Sequence, residues 1–216
     1  MTTTRDDIAR AAFRLFASRG YDATSVEDIA AEAGVSRSTF FRAYGSKEAV
    51  IFPDHDELLA RVEDRLRTSH EDSALDAVTD AVKIVLFHYV AEGERARERY
   101  RLTSTVTALR DRELVSGARY QRLFRHYLTQ WNEGSEPSEL RAEVTAAAVV
   151  AAHNRVLRRW LRGECNNPRR EVEAALAVVH GLLEPRRDDG PGAVVILRSD
   201  ASIEAVEAAV REVLGG

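Results

Sequence analysis

Apolar residues recur at intervals of three and four along most of the chain, the spacing that puts them on one face of a helix. Ile8, Ala11, Ala12, Leu15 and Phe16 predict a first helix over 5–19, closed by Gly20. Val26, Ile29, Ala30 and Ala33 predict a second, short helix, capped by Ser25 or Thr24 and ended by Gly34. Ser36 caps a third, carrying Arg37, Ser38, Thr39, Phe40, Phe41 and Arg42. Beyond Ser46 the pattern predicts one kinked helix or two abutting ones over 47–69, with Pro53 as the interruption and Asp54 as an internal cap.

The remaining helices are longer. Residues 73–91 are apolar on most faces (Leu75, Val78, Val82, Val85, Leu86), which places this helix in the middle of a body. Arginine-rich 94–106 and aromatic-rich 112–132 follow, then a loop over 132–138, an alanine- and valine-rich helix over 139–162, and a last one started by Pro168 and running to Leu183. The tail breaks the pattern: R-R-D-D-G-P-G is a linker, A-V-V-I-L-R reads as a short strand, and 201–214 as an amphipathic helix. The fold class expected is all-α, a three-helix head plus a larger helical body with a short strand-helix C-terminal appendage. The boundaries expected are 1–50, 51–185 and 186–216.

Two short helices around a glycine turn, the second lined by hydroxyls and guanidinium groups with no acidic residue between Ser36 and Gly45, form a helix-turn-helix signature. A carboxylate on a groove-inserted helix would be repelled by phosphate. Arg37 and Ser38 are the candidates for base edges, and Ser25, Ser36, Thr39, Phe41, Arg42 and Lys47 for the rest of the interface.

The runs A-A-F-R-L-F-A-S-R-G-Y (11–21), T-S-V-E-D-I-A-A-E-A-G-V-S (24–36), T-F-F-R-A-Y (39–44) and S-K-E-A-V (46–50) together resemble the DNA-binding domain of the TetR family of transcriptional regulators. The resemblance covers about the first quarter of the chain; the rest matches in length and helical character. It implies a homodimer joined through its last two long helices, double-stranded operator DNA as partner, a small-molecule effector held in the body, and phosphate contact by Lys47. Family members most often have Tyr where Phe41 stands, and Tyr or His where Ala43 stands. Those two departures leave an alternative open, a small-molecule-binding or interaction module with a weakened DNA-binding head.

Charge changes the picture in one respect. With a formal net charge of −4, and seven basic residues balanced by seven acidic ones from 1 to 51, DNA binding cannot rest on bulk positive charge. Arg37, Arg42 and Lys47 are then expected on one side of the head, with carboxylates turned away. Arg5 is a weaker candidate for a minor-groove arm.

Other chemistry is sparse. One cysteine, Cys165, excludes an internal disulfide framework. The chain carries no nucleophile elbow, phosphate loop, dinucleotide fingerprint or zinc-binding H-E-x-x-H, so no enzymatic activity, cofactor or metal is expected. His55 between Asp54 and Asp56 reads as part of a helix cap rather than a ligand cluster. No apolar run approaches the roughly 18 residues of a membrane span, and a cytoplasmic location is expected. Candidate effector contacts are polar or aromatic residues set in apolar surroundings of the body: Phe87 and His88, Tyr120 and Phe124, His153 and Asn154. Each histidine reads as a core hydrogen-bonding group ahead of a ligand contact. Tyr120, Phe124 and Trp131 read as core first and pocket wall second. A hydrophobic or aromatic effector fits those walls.

Overall fold

The capping chemistry sets the head. Helix α1 spans Thr2–Arg19, α2 Val26–Glu32 and α3 Arg37–Tyr44 in a computed structural model that describes residues 2–52, 54–69, 74–131 and 136–183. Ser25 caps α2 reciprocally: its hydroxyl accepts from the Asp28 amide at 3.1 Å, and its own amide donates to the Asp28 carboxylate at 2.9 Å. Gly34 follows at φ 66°, the left-handed region, and lets the Val35 amide reach back to the Ala30 carbonyl at 2.9 Å. Ser36 then caps α3 through the Thr39 amide at 3.1 Å.

The three helices close over Ile8, Phe13, Phe16, Ile29 and Phe40, all buried, and the same core continues into Val50, Ile51, Phe52 and Leu109. Full burial of each large side chain is worth about 1.5–3 kcal/mol, so head and body share a stabilising core rather than a bare linker. Arg5 lies inside α1, not on an arm. Its carbonyl accepts from Tyr44 Oη at 2.8 Å and its guanidinium rests 4.9 Å from the centre of the Tyr44 ring, which corrects the minor-groove expectation.

After α3 the chain makes a single 3-10 turn over Glu48–Val50, with Ser46 Oγ accepting from the Ala49 amide, and α4 (His55–Arg67) starts anew behind its Asp54 cap. The 47–69 segment is thus two elements; Pro53 lies outside the described residues.

The body is built on α5 (Ala74–Glu92), α6 (Glu94–Thr105), α7 (Thr107–Trp131), α8 (Glu136–Leu161) and α9 (Pro168–Leu183). As its pattern predicts, α5 is central: it packs against α4, α6, α7 and α8 and buries Val78, Val82, Val85, Leu86 and Tyr89. Helices α6 and α7 are separated by Val106 alone, which adopts an extended conformation, so residues 107–111, which lay between the two expected helices, are helical. Helix α8 likewise starts inside the expected loop, at Glu136. Asn167 Oδ1 accepts from the Arg170 amide at 3.1 Å and helps start α9 at Pro168. The elements through Gly181 form one compact unit. The linker, strand and helix expected beyond 185 lie outside the described residues; among those described there is no strand.

Candidate DNA interface and ligand cavity

Helix α3 presents a solvent face of short polar groups. Ser36 Oγ lies 2.9 Å from both Ser38 Oγ and Thr39 Oγ1, and Arg42 donates to Thr39 Oγ1 at 3.2 Å. These hydroxyls form one chain of hydrogen bonds along the start of the helix, where backbone amides and the helix dipole also favour an anion. Arg37 is exposed and held from two sides, by Glu27 at 3.0 Å and by the Phe41 ring, 5.4 Å from its guanidinium carbon. The expectation that carboxylates turn away from the interface is corrected at Glu27, which sits in the first turn of α2, within reach of the first residue of α3. Phe41 carries no phenolic donor; its half-exposed ring packs edge-on against Phe40 and supports Arg37 instead.

Lys47 is placed differently from Arg37 and Arg42. Its ammonium donates to the carbonyls of Tyr21 at 2.9 Å and Thr24 at 3.0 Å and lies 4.0 Å from the Tyr21 ring centre. Two of its three donors therefore tie the α1–α2 connection to the segment after α3. Ser25 is exposed but engaged with Asp28, whose carboxyl those hydrogen bonds hold below its usual range.

The body encloses a groove of about 640 Å³ between α6, α7 and α8. Its walls include Tyr89, Tyr100, Val150 and Leu157, and its arginines are Arg99, Arg110, Arg158 and Arg162. A smaller cavity of about 50 Å³ shares Tyr89, Glu113, Gly117, Val150, Asn154 and Leu157 with it and adds His55, Tyr120 and His153. Tyr120, His153 and Asn154 of the expected effector residues are thereby brought together. His88, half-buried on α5, lines neither space, and its Nε2 has no partner among the described residues. Phe124 is fully buried in the core, and Phe87 lies under the Arg169 guanidinium at 4.1 Å. Neither lines the cavity, which corrects both expectations: their apolar character reflects packing.

Two groups that matter, Arg99 and Glu113, were not singled out from sequence, and a third, His55, was read there as part of a helix cap. Arg99 is 3 % exposed; its guanidinium grips Glu92 through two bonds of 2.7 and 2.8 Å, and its Nε donates to the Ile51 carbonyl. Glu113 accepts from Tyr89 Oη at 3.5 Å, and burial pushes its carboxyl pKa up. His55 Nδ1 lies 3.2 Å from Tyr120 Oη, with burial the main cause that pushes its pKa down to about 4. Each sits in a charged stretch that reads as solvated; the only available signal was that Arg99 and Glu113 fall on the inward stripe of their helices.

Among the described residues no group of three or more His, Cys, Asp or Glu is placed to hold a metal ion, and no helix is long and apolar enough to cross a membrane.

Comparison with known proteins agrees with this architecture. Residues 8–61 match the profile of bacterial regulatory proteins of the tetR family, and residues 72–186 match that of the MftR C-terminal domain. A candidate mycofactocin biosynthesis transcriptional regulator, MftR of Mycobacterium tuberculosis, is 28% identical over 187 residues, covering 85% of this chain and 92% of the relative. Among solved structures, the SmeT–triclosan complex superposes with a TM-score of 0.60 at 17% identity, covering 91% of this chain and 99% of that one. FadR of Thermus thermophilus, solved with lauroyl-CoA, gives 0.51 at 22% identity, covering 92% and 98%. A helix-turn-helix head whose core runs into a helical body, matched by both profiles over most of its length, makes the chain a member of the TetR family of DNA-binding transcriptional regulators.

Proposed function

We propose that this regulator is a homodimeric repressor that leaves a pseudo-palindromic operator when a small, largely apolar or aromatic molecule enters the body groove. In this reading residues 1–50 read DNA and residues 51–185 hold effector and partner. The observation that carries it is the reach of Arg99: it lines the groove and also donates to the carbonyl of Ile51, seven residues past the end of the recognition helix. A molecule in the groove that displaces Arg99 changes what holds the base of the head. Two heads must meet successive major grooves about 34–36 Å apart or a multiple, so a small tilt at that base costs operator contacts. The effector shifts the equilibrium only by its difference in affinity for the two geometries.

Arg37 and Ser38 read base edges, Ser25, Ser36, Thr39, Arg42 and Lys47 position the backbone, and Phe41 supports Arg37. Homodimerisation through α8 and α9 is supported by Leu140 and Val144 on α8 and Val178 on α9, each about half exposed or more. That SmeT was solved with triclosan and FadR with lauroyl-CoA supports a body able to house a molecule with a large apolar part.

The test is a selection from random-sequence duplex DNA, followed by fluorescence anisotropy of the recovered duplex against its scrambled counterpart at fixed salt. Tight binding of the recovered duplex by two chains per site, weakened by groove ligands, is the expected result. Equal weak binding to both duplexes overturns it in favour of an interaction module with a silent head.

A further inference from the structure

The small inner cavity is unusual for what lines it. Three buried polar atoms have no hydrogen-bond partner among the described residues: Nε2 of His55 on α4, Oε2 of Glu113 on α7 and Nε2 of His153 on α8. All three residues line the same 50 Å³ space, which shares six of its lining residues with the groove. A buried polar atom left unpaired costs about 1–3 kcal/mol, and three from three separate helices converge on one place. No other part of the described core carries such a concentration.

The other atoms of these side chains fix what the free ones can do. His153 Nδ1 donates to Asn154 Oδ1 at 3.1 Å, which leaves Nε2 of the neutral ring as an acceptor. Burial favours the neutral forms: it pushes His153 and His55 down to about 4 and Glu113 upward. Glu113 Oε1 already accepts from Tyr89 Oη, so in the protonated carboxyl Oε2 can serve as donor. With Glu113 protonated, the form that burial favours, the cavity offers both an acceptor and a donor.

We propose that the inner cavity is a hydroxyl-recognition subsite of the effector site, where an alcohol or phenol donates its proton to His153 Nε2 and accepts a hydrogen bond from Glu113 Oε2. This rests on the reading of the groove as the effector site, and it adds the chemical class: an apolar molecule ending in an uncharged hydroxyl. A hydroxyl satisfies both partners at once; a carbonyl satisfies only the donor, and a carboxylate would be brought into a buried space without a cation lining it. A site built for a hydroxyl discriminates strongly against the analogue lacking it, because its own polar atoms then stay unpaired.

Isothermal titration calorimetry of the full chain with 4-butylphenol, butylbenzene and 4-butylbenzoate tests this. The expected result is a dissociation constant at least about tenfold lower for the phenol than for either other probe. In His153→Leu and in Glu113→Leu that preference falls to within about threefold while butylbenzene binding is kept. Each variant also loses a bond that the parent makes, His153 to Asn154 and Glu113 to Tyr89, so the melting temperature serves only to show that the variant is folded. Should either variant fail to fold, the ranking of the three probes on the parent decides alone. Equal affinity for phenol and hydrocarbon, preference for the benzoate, or no saturable binding of the phenol each overturns the proposal. Operator anisotropy on the same preparation separates the two readings: intact operator binding with no phenol preference removes the subsite and leaves the regulator.

Discussion

The guanidinium of Arg99 donates to the backbone carbonyl of Ile51, joining the second helix of the body to the foot of the DNA-binding head across 48 residues of chain. Glu92 completes the arrangement with two bonds of 2.7 and 2.8 Å, at side-chain exposures of 4% for Arg99 and 16% for Glu92. A buried ion pair contributes little net stability relative to apolar residues of the same size, but breaking one half of it leaves an uncompensated charge. Arg99→Met should therefore destabilise by about 3–5 kcal/mol, read as a lower urea midpoint with unchanged slope. The Arg99→Met, Glu92→Met double variant should recover at least half of that loss. Additive single effects would show that the two residues do not act as a pair.

Arg37 is paired with Glu27, so in the proposed reading DNA must displace that carboxylate. The exposed ion pair at 3.0 Å contributes little to folding, so Glu27→Gln should leave the melting temperature unchanged. It should strengthen binding to operator and scrambled duplex alike by removing a carboxylate from the interface. Arg37→Ala should instead cost roughly tenfold to a hundredfold on operator and little on scrambled DNA, because a base-reading guanidinium supplies discrimination. Loss of equal size on both duplexes would reassign Arg37 to the phosphate backbone. Anisotropy with the two duplexes at one salt concentration reads both variants.

Lys47 carries a different expectation, because its ammonium is tied to the carbonyls of Tyr21 and Thr24 and packs on the Tyr21 ring. Lys47→Met leaves both acceptors without that donor, and hydrogen bonds to a charged group are worth about 1.5–3 kcal/mol each in favourable cases. A fall in melting temperature should accompany uniformly weaker DNA binding with a shallower salt dependence. If DNA binding weakens while stability does not move, the lysine serves phosphate alone.

These contrasts show which parts of the molecule were legible in the chain. The head was, because its information is local: Ser25, Gly34 and Ser36 each dictate a backbone conformation within four residues of themselves. The central helix was legible from its apolar pattern, and Tyr120, His153 and Asn154 from being polar in apolar surroundings. Arg99 and Glu113 were not, since E-R-A-R-E-R-Y-R and R-D-R-E-L read as solvated faces until neighbouring helices bury one position of each. The same tertiary packing takes Phe124 out of the cavity and into the core. Lys47 was read as a phosphate contact, and the pairing of its ammonium with the Tyr21 and Thr24 carbonyls was not legible, because it depends on where the α1–α2 connection folds back.

The cavity histidines give the protein a pH dependence whose sign can be worked out. His153 has an ordinary value of 6.5 when exposed in the unfolded chain and about 4 in the folded protein, chiefly because burial disfavours the imidazolium; Asn154 opposes this and Arg158 reinforces it. Above pH 6.5 both states hold a neutral ring and the histidine contributes no pH dependence. As pH falls from 6.5 towards 4 the unfolded chain binds a proton that the folded protein refuses, so stability declines across that window and levels off below it. A shift of this size corresponds to a loss on the order of 3 kcal/mol. His55 acts in the same direction, its value lowered by burial and by Arg99, Arg119, His88 and Arg112. Glu113 acts oppositely: its raised folded value makes stability fall as pH rises past 4.5. The parent curve alone therefore mixes several groups, among them His88, whose value burial also lowers, and the comparison with His153→Leu isolates one. The stability of that variant relative to the parent should be constant from pH 8 to about 7 and should grow steadily from 6.5 down to 4, measured as urea midpoints in matched buffers. A difference independent of pH would mean that His153 titrates alike in both states, and that its ring is not held neutral by the core around it.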